Sequence, residues 1–96
     1  MKVVTLCGSM RFSEQMQLIA LNLETKHGYC VIQPIFSPDT VLDNDDLSSL
    51  AKAHFKKIDI SDIVYIVNMN GYIGESVSQE IQYAQEHNKE IIYHVK

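Results

Sequence analysis

The sequence has 96 residues, enough for one domain with a single core, and its apolar fraction of 46% with 21% charged residues is typical of a globular protein. The net charge of −4 argues against a nucleic-acid polymer or an anionic membrane surface as partner, because both attract a surplus of Lys and Arg. No run has the apolar length of a membrane span, and the opening apolar run is too soon interrupted for a signal peptide. We therefore expect a cytoplasmic protein that binds small molecules or other protein chains.

The first third of the chain predicts a strand, a tight turn, a helix and a second strand. Residues 2–7 form a short apolar run rich in β-branched side chains, which indicates a strand buried on both faces. From Ser13 onward apolar residues recur at helical spacing, and Gly28 supplies a C-terminal stop. Residues 29–33 form the second apolar run and predict the next strand.

A polar loop and a second helix are predicted next. Residues 34–46 contain Pro38 and a cluster of acidic side chains, and a loop of this length often forms a lid or a substrate wall. A helix is expected to begin near Asp46 or Ser48. Its apolar stripe includes a histidine, His54, and consists of Leu47, Leu50, Ala51, His54, Phe55 and Ile58.

The remaining elements are a central strand, a third helix and a last strand. Ile63–Val67 is an uninterrupted run of β-branched and aromatic residues, typical of a strand at the centre of a sheet. A helix is predicted over 76–87 and a strand over 90–95. This alternation predicts one α/β domain of three layers, a Rossmann- or flavodoxin-like parallel sheet of about four strands with helices on both faces.

Ligands of such sheets bind beyond the carboxyl ends of the strands. The loop that starts at Gly8 and the stretch 68–78 both leave carboxyl ends, so they should border one crevice. Gly8 and Gly74 have two explanations that the sequence leaves open: a turn that requires positive φ, or close approach of an anion. Neither loop has the GxGxxG or Walker pattern of a nucleotide site.

One carboxylate lies on the buried stripe of the third helix. Glu80 shares that stripe with Val77, Ile81 and Ala84, and a buried carboxylate is unfavourable unless it is paired or used. A capping role is the structural alternative. Ser76 and Gln79 have the S-x-x-Q spacing of a capping box, which predicts that Ser76 is the cap and removes one structural explanation of Glu80.

No metal site and no cofactor are predicted. The four histidines are far apart in the sequence and show no metal-ligand spacing, and the acidic run at 43–46 lacks the glycine and terminal glutamate of a calcium loop. Cys7 and Cys30 each lie in an apolar run and are expected to be small buried hydrophobic residues. A histidine on an apolar stripe, such as His54, is most often a hydrogen-bonded core residue.

Three stretches carry a resemblance to the nucleoside 2-deoxyribosyltransferase superfamily. They are the opening strand that ends in Gly8-Ser9, the passage HFKKIDISDIVYIVN at 54–68, and GYIGESVSQEIQYA at 71–84. The resemblance covers most of the chain, and GESVSQEIQYA is its most specific part. A short subgroup of unassigned function, with a histidine before K-I-D and the sequence GYIGES, resembles this chain more closely.

The resemblance implies cleavage of N-glycosidic bonds or transfer of 2-deoxyribosyl groups, with nucleosides or nucleoside monophosphates as substrates. The family's nucleophilic glutamate corresponds to Glu80, and either His54 or Glu75 is expected to protonate or orient the departing base. Related deoxynucleoside monophosphate N-glycosidases hold a 5′-phosphate on glycine and serine loops. Together with the two crevice loops, this gives the expected substrate-binding residues: Gly8, Ser9, Met10, Arg11, Gly74, Glu75, Ser76 and Ser78.

The chain also departs from that family. Family transferases often carry an aspartate at the position of His54 and an aspartate or serine at that of Gly74, and they are longer, with later segments that complete the neighbouring subunit's site. A non-catalytic nucleotide-binding or sensor module of the same fold is therefore the alternative. Because small parallel sheets leave apolar helix faces exposed, we also expect a homo-oligomer.

Overall fold

The computed structural model describes residues 1–36 and 40–96, and within them strands and helices alternate along the chain. The strands are β1 (Val3–Gly8), β2 (Cys30–Ile32), β3 (Ile63–Val67) and β4 (Glu90–Tyr93). The helices are α1 (Ser13–His27), α2 (Asn44–Asp59) and α3 (Glu75–Glu86), with short 3-10 turns at Met10–Phe12 and Met69–Gly71. Pro38, part of the predicted loop, lies outside the described residues. No helix in the described ranges is long and apolar enough to cross a membrane.

The strands form one parallel sheet in the order β2-β1-β3-β4. This confirms the predicted α/β class and the central position of β3. After β2 the chain crosses β1 and adds β3 on its other side, so the direction of winding reverses between β1 and β3. A crevice therefore opens over the carboxyl ends of these two strands, where ligands of such sheets bind.

Alternate residues of the central strands belong to two separate cores. Val4 and Leu6 pack with the buried residues of α1, whereas Cys7 and Ile66 pack with buried residues of α2 and α3. Because successive side chains of a strand point to opposite faces, α1 covers one face of the sheet and α2 with α3 covers the other.

The helix ends agree with the predictions for α1 and correct them for α2 and α3. Gly28 ends α1 with φ of 69°, as the sequence predicts. The start of α2 is earlier than predicted, at Asn44, because Asp43 and Asp46 form a reciprocal capping box. The N-cap of α3 is Gly74, which has no side chain, so the predicted capping role of Ser76 is wrong.

The need for glycine at position 8 comes from packing. Gly8 and Gly74 do not have positive φ, in contrast to Gly28 and Gly71, so the explanation from turn geometry is wrong for both. A Cβ added at Gly8 would lie 3.0 Å from Cβ of Val67 and 3.1 Å from the sulfur of Met16. The end of β1 is therefore pressed against β3 and α1, which brings its following loop close to the crevice.

Candidate functional site

Three side chains from three elements meet below the crevice: Cys7, His54 and Glu80. Cys7 is the penultimate residue of β1 and faces α2 and α3. His54 lies four residues before the buried Ile58 of α2, and Glu80 lies one turn after the buried Val77 of α3. The same amphipathic spacing that buries the two apolar residues thus directs both polar side chains toward Cys7.

The contacts between these three side chains are short and largely shielded from solvent. Nε2 of His54 lies 3.2 Å from Sγ of Cys7 and 3.3 Å from Oε1 of Glu80. The side chains of His54 and Glu80 are 9% and 18% exposed, and Cys7 is fully buried. We call this group the Cys7-His54-Glu80 cluster.

The electrostatics of the cluster favour a neutral thiol. Burial raises the pKa of the Cys7 thiol well above its ordinary value, and the charge of Glu80 and a hydrogen bond to it add to that rise. Nε2 of His54 contacts both the thiol of Cys7 and the carboxylate of Glu80, so its part as donor or acceptor depends on which ring nitrogen carries the hydrogen. Nδ1 of His54 is buried with no hydrogen-bond partner among the described residues.

The cluster borders a cleft of about 640 Å³ at the carboxyl ends of β1 and β3. Eight of the ten residues predicted for the site line it: Gly8, Ser9, Met10, His54, Gly74, Glu75, Ser76 and Glu80. The hydroxyl of Ser9 also accepts a hydrogen bond from the backbone N–H of Arg11 at 3.3 Å. The crevice predicted from the strand order is therefore present, and both predicted loops border it.

Arg11 and Ser78 are the two predicted residues that do not line the cleft. The Arg11 guanidinium lies 4.1 Å from the centre of the Tyr72 ring, a cation–π contact, and Tyr72 itself lines the cleft. Arg11 therefore touches the wall of the cleft from outside. Ser78 is exposed on α3.

The apolar stripe of α2 is divided between the core and the cleft. Its second half contributes Ile58 to the core, whereas Leu47, Leu50 and Ala51 of the first half line the cleft. Leu47 remains 52% exposed. A mostly apolar lining with a few polar groups is the usual composition of a small-molecule site.

Other features of the structure contribute little to this site. A second cavity of about 410 Å³ lies beside α1 and β4 and contains none of the predicted site residues. The exposed face of α1 presents Leu18 and Leu21, the kind of apolar surface on which the expectation of a homo-oligomer rests. That expectation stays a prediction.

Comparison with known protein families, with curated proteins and with solved structures gives no match to this chain. The resemblance to the 2-deoxyribosyltransferase superfamily, and the activity that it implies, therefore remain predictions.

Cys7 is the member of the cluster that the sequence reasoning did not place in the site. It is separated from His54 by 47 positions, so no local spacing connects them. The available signal was alternation along β1: Cys7 has the opposite parity to Leu6 and therefore faces the side of the sheet that carries α2 and α3.

Proposed function

We propose that this protein cleaves the N-glycosidic bond of nucleosides or nucleoside monophosphates, by hydrolysis or by transfer of the 2-deoxyribosyl group, with Glu80 as nucleophile. The observation that carries the proposal is the position of Glu80. It is a carboxylate shielded on a helix face, held by His54 at 3.3 Å and open to a cleft of about 640 Å³.

The proposed chemistry has two steps. A carboxylate oxygen of Glu80 attacks C1′ through an oxocarbenium-like transition state, and the bonding pair of the C1′–N bond leaves with the base, which takes up a proton. Water, or the nitrogen of a second base, then attacks C1′ and releases Glu80. The first outcome is hydrolysis and the second is transfer.

His54 and Glu75 have different places in this scheme. Nε2 of His54 lies 3.3 Å from Oε1 of Glu80, so the first task of His54 is to orient the nucleophile and leave the second oxygen for attack. Glu75, at the start of α3, is the other glutamate of the cleft wall and is assigned to the departing base.

The first turn of α3 and the apolar residues of α2 have different properties, which suit the sugar-phosphate end and the base end of such a substrate. The backbone N–H groups of a helix's first turn have no partner within the helix, and Glu75 and Ser76 of that turn line the cleft. They are assigned to the sugar or its 5′-phosphate. Leu47 and Leu50 of α2, which also line the cleft, are assigned to the face of the base.

Release of free base from a panel of purine and pyrimidine 2′-deoxynucleosides and their 5′-monophosphates, followed by chromatography, tests the proposal. Glu80→Gln should lower turnover at least about 1,000-fold, because the nucleophile is lost while the side-chain volume is kept. Glu86→Gln is the matched control, since Glu86 is exposed on the same helix and should leave turnover unchanged.

Two results would contradict the proposal. If the Glu80→Gln variant releases base as fast as the unaltered chain, Glu80 is not the nucleophile. Binding of nucleotides without base release from any member of the panel would instead support the non-catalytic nucleotide-binding module.

A further inference from the structure

We propose that the Cys7-His54-Glu80 cluster is a binding site for a zinc-type divalent metal ion, with one sulfur, one nitrogen and one oxygen ligand. Zinc ions in proteins are bound by these three side-chain types. A thiolate together with an imidazole selects zinc and related transition metals over calcium or magnesium, which prefer oxygen ligands.

The distances within the cluster fit one ion. A tetrahedral zinc ion with bonds of about 2.0–2.3 Å separates its ligand atoms by about 3.3–3.6 Å. Nε2 of His54 lies 3.2 Å from Sγ of Cys7 and 3.3 Å from Oε1 of Glu80, and the three ligand atoms lie within 4.8 Å of one another. An ion can therefore be accommodated by small side-chain movements. The thiol proton is released to solvent as the metal–sulfur bond forms, and the ring hydrogen of His54 is then on Nδ1, so that Nε2 offers its lone pair to the ion.

The surroundings suit a site with three protein ligands and one open position. The three residues come from β1, α2 and α3, so their backbone positions are fixed by the core. His54 and Glu80 also line the cleft, from which water or a ligand can reach the fourth position. Zinc sites with three protein ligands and an open position are the catalytic type rather than the closed structural type.

Metal binding also has a consequence for the activity proposed above, and this part rests on that proposed function. A Glu80 oxygen bound to the ion is no longer available to attack C1′. Zinc binding should therefore inhibit base release, and a chelator should restore it.

The test begins with binding alone, on the full chain after treatment with a chelator. Native mass spectrometry with added Zn²⁺ should show one ion per chain, and Co²⁺ should give the charge-transfer absorption of a thiolate ligand. Cys7→Ala and Glu80→Gln should each weaken Zn²⁺ binding by more than about 100-fold. Loss of a residue that only hydrogen-bonds a metal ligand lowers metal affinity by about 10–100-fold, and loss of the ligand itself should lower it further. Cys30→Ser, at the other free cysteine, is the matched control and should bind as the unaltered chain does.

The outcomes separate the two proposals. Absence of Zn²⁺ binding by the folded chain, a Co²⁺ complex without thiolate absorption, or equal affinity in the folded Cys7→Ala variant would overturn the metal site. Circular dichroism shows which variants are folded. The Co²⁺ spectrum is measured on the unaltered chain, so it tests the thiolate ligand even if the Cys7→Ala variant does not fold. If the chain binds zinc but releases no base, the metal site is supported and the proposed glycosidase activity is contradicted. If zinc does not lower base release, the proposed inhibition is contradicted.

Discussion

The α1 face of the sheet and the face covered by α2 and α3 bury different kinds of side chain. The cluster on the α1 face is wholly apolar, with Val4, Leu6 and Met16 among its members. The opposite face buries the polar residues Thr5 and His54 beside apolar ones. The same two central strands thus supply a stabilising layer and a layer that holds reactive groups.

This difference teaches how a small domain can carry a polar site. Buried polar groups contribute little net stability even when they are paired, so the positions of Thr5 and His54 should stabilise the fold less than buried apolar positions do. The predicted consequence is that changes on the two faces separate into effects on unfolding and effects on chemistry.

The largest effect on stability is expected from Leu6→Ala. Leu6 is fully buried on the α1 face, and its truncation should lower the free energy of unfolding by about 2–5 kcal/mol in urea denaturation. Cys7→Ala, at the next residue and also fully buried, removes one sulfur atom and should cost less. Equal losses of unfolding free energy in the two variants would contradict the proposed difference between the two faces of the sheet.

Gly8→Ala should have the next largest effect, about 1–3 kcal/mol, because a methyl group there would lie only 3.0 Å from Cβ of Val67 and 3.1 Å from the sulfur of Met16, which must both move. Urea denaturation of this variant measures the loss. If Gly8 served only to admit a substrate anion, the variant would keep its stability and show a raised KM alone.

Asp43→Ala tests how α2 is held over the cleft. The first half of α2 packs little in the core, so its capping box should contribute about 1 kcal/mol. Asp45→Ala, in the same first turn but outside the box, should cost less. Hydrogen exchange at the start of α2 should rise in the first variant, and unchanged exchange there would show that the cap is not needed.

The smallest effect concerns alkaline pH. Tyr83 of α3 donates to Asp59 of α2 at 2.5 Å, and this hydrogen bond is the main reason that the pKa of Tyr83 is raised, with burial and the charge of Asp59 adding to it. A raised pKa in the folded state stabilises the fold below the ordinary tyrosine pKa of about 10, and that stability is lost as pH rises through the folded value. In Tyr83→Phe, the free energy of unfolding from denaturation curves should fall less as pH rises through this range. An unchanged pH dependence would show that another group causes the alkaline loss of stability.

The sequence predicted the features that depend on local periodicity. The strand Ile63–Val67, the start of α1 at Ser13 and the α/β class agree with the structure. Glu80 was singled out because a carboxylate interrupts an apolar stripe, which is a signal contained within one helix.

Features that depend on contacts between distant segments were not predictable in this way. The contact of Cys7 with His54 requires both the register of β1 against β3 and the rotation of α2 about its axis. The same is true of Gly8, whose close neighbours Val67 and Met16 come from two other elements. The capping box of α2 lies within four consecutive residues, but Asp43 belongs to a run of acidic residues that is typical of a solvated loop, so the helix start was not recognised.

The pairing of β1 with β3 also determines the order in which the molecule can assemble. The side chain of Asp62 accepts a hydrogen bond from the backbone of Val3 across 59 positions, and the central ladder joins Val4 to Ile63. Such non-local pairing must close a long loop before its contacts form, which slows folding. During synthesis β1 has no central partner until β3 has been made, so β1, with its short apolar run, is the segment that must be kept from aggregating in the nascent chain.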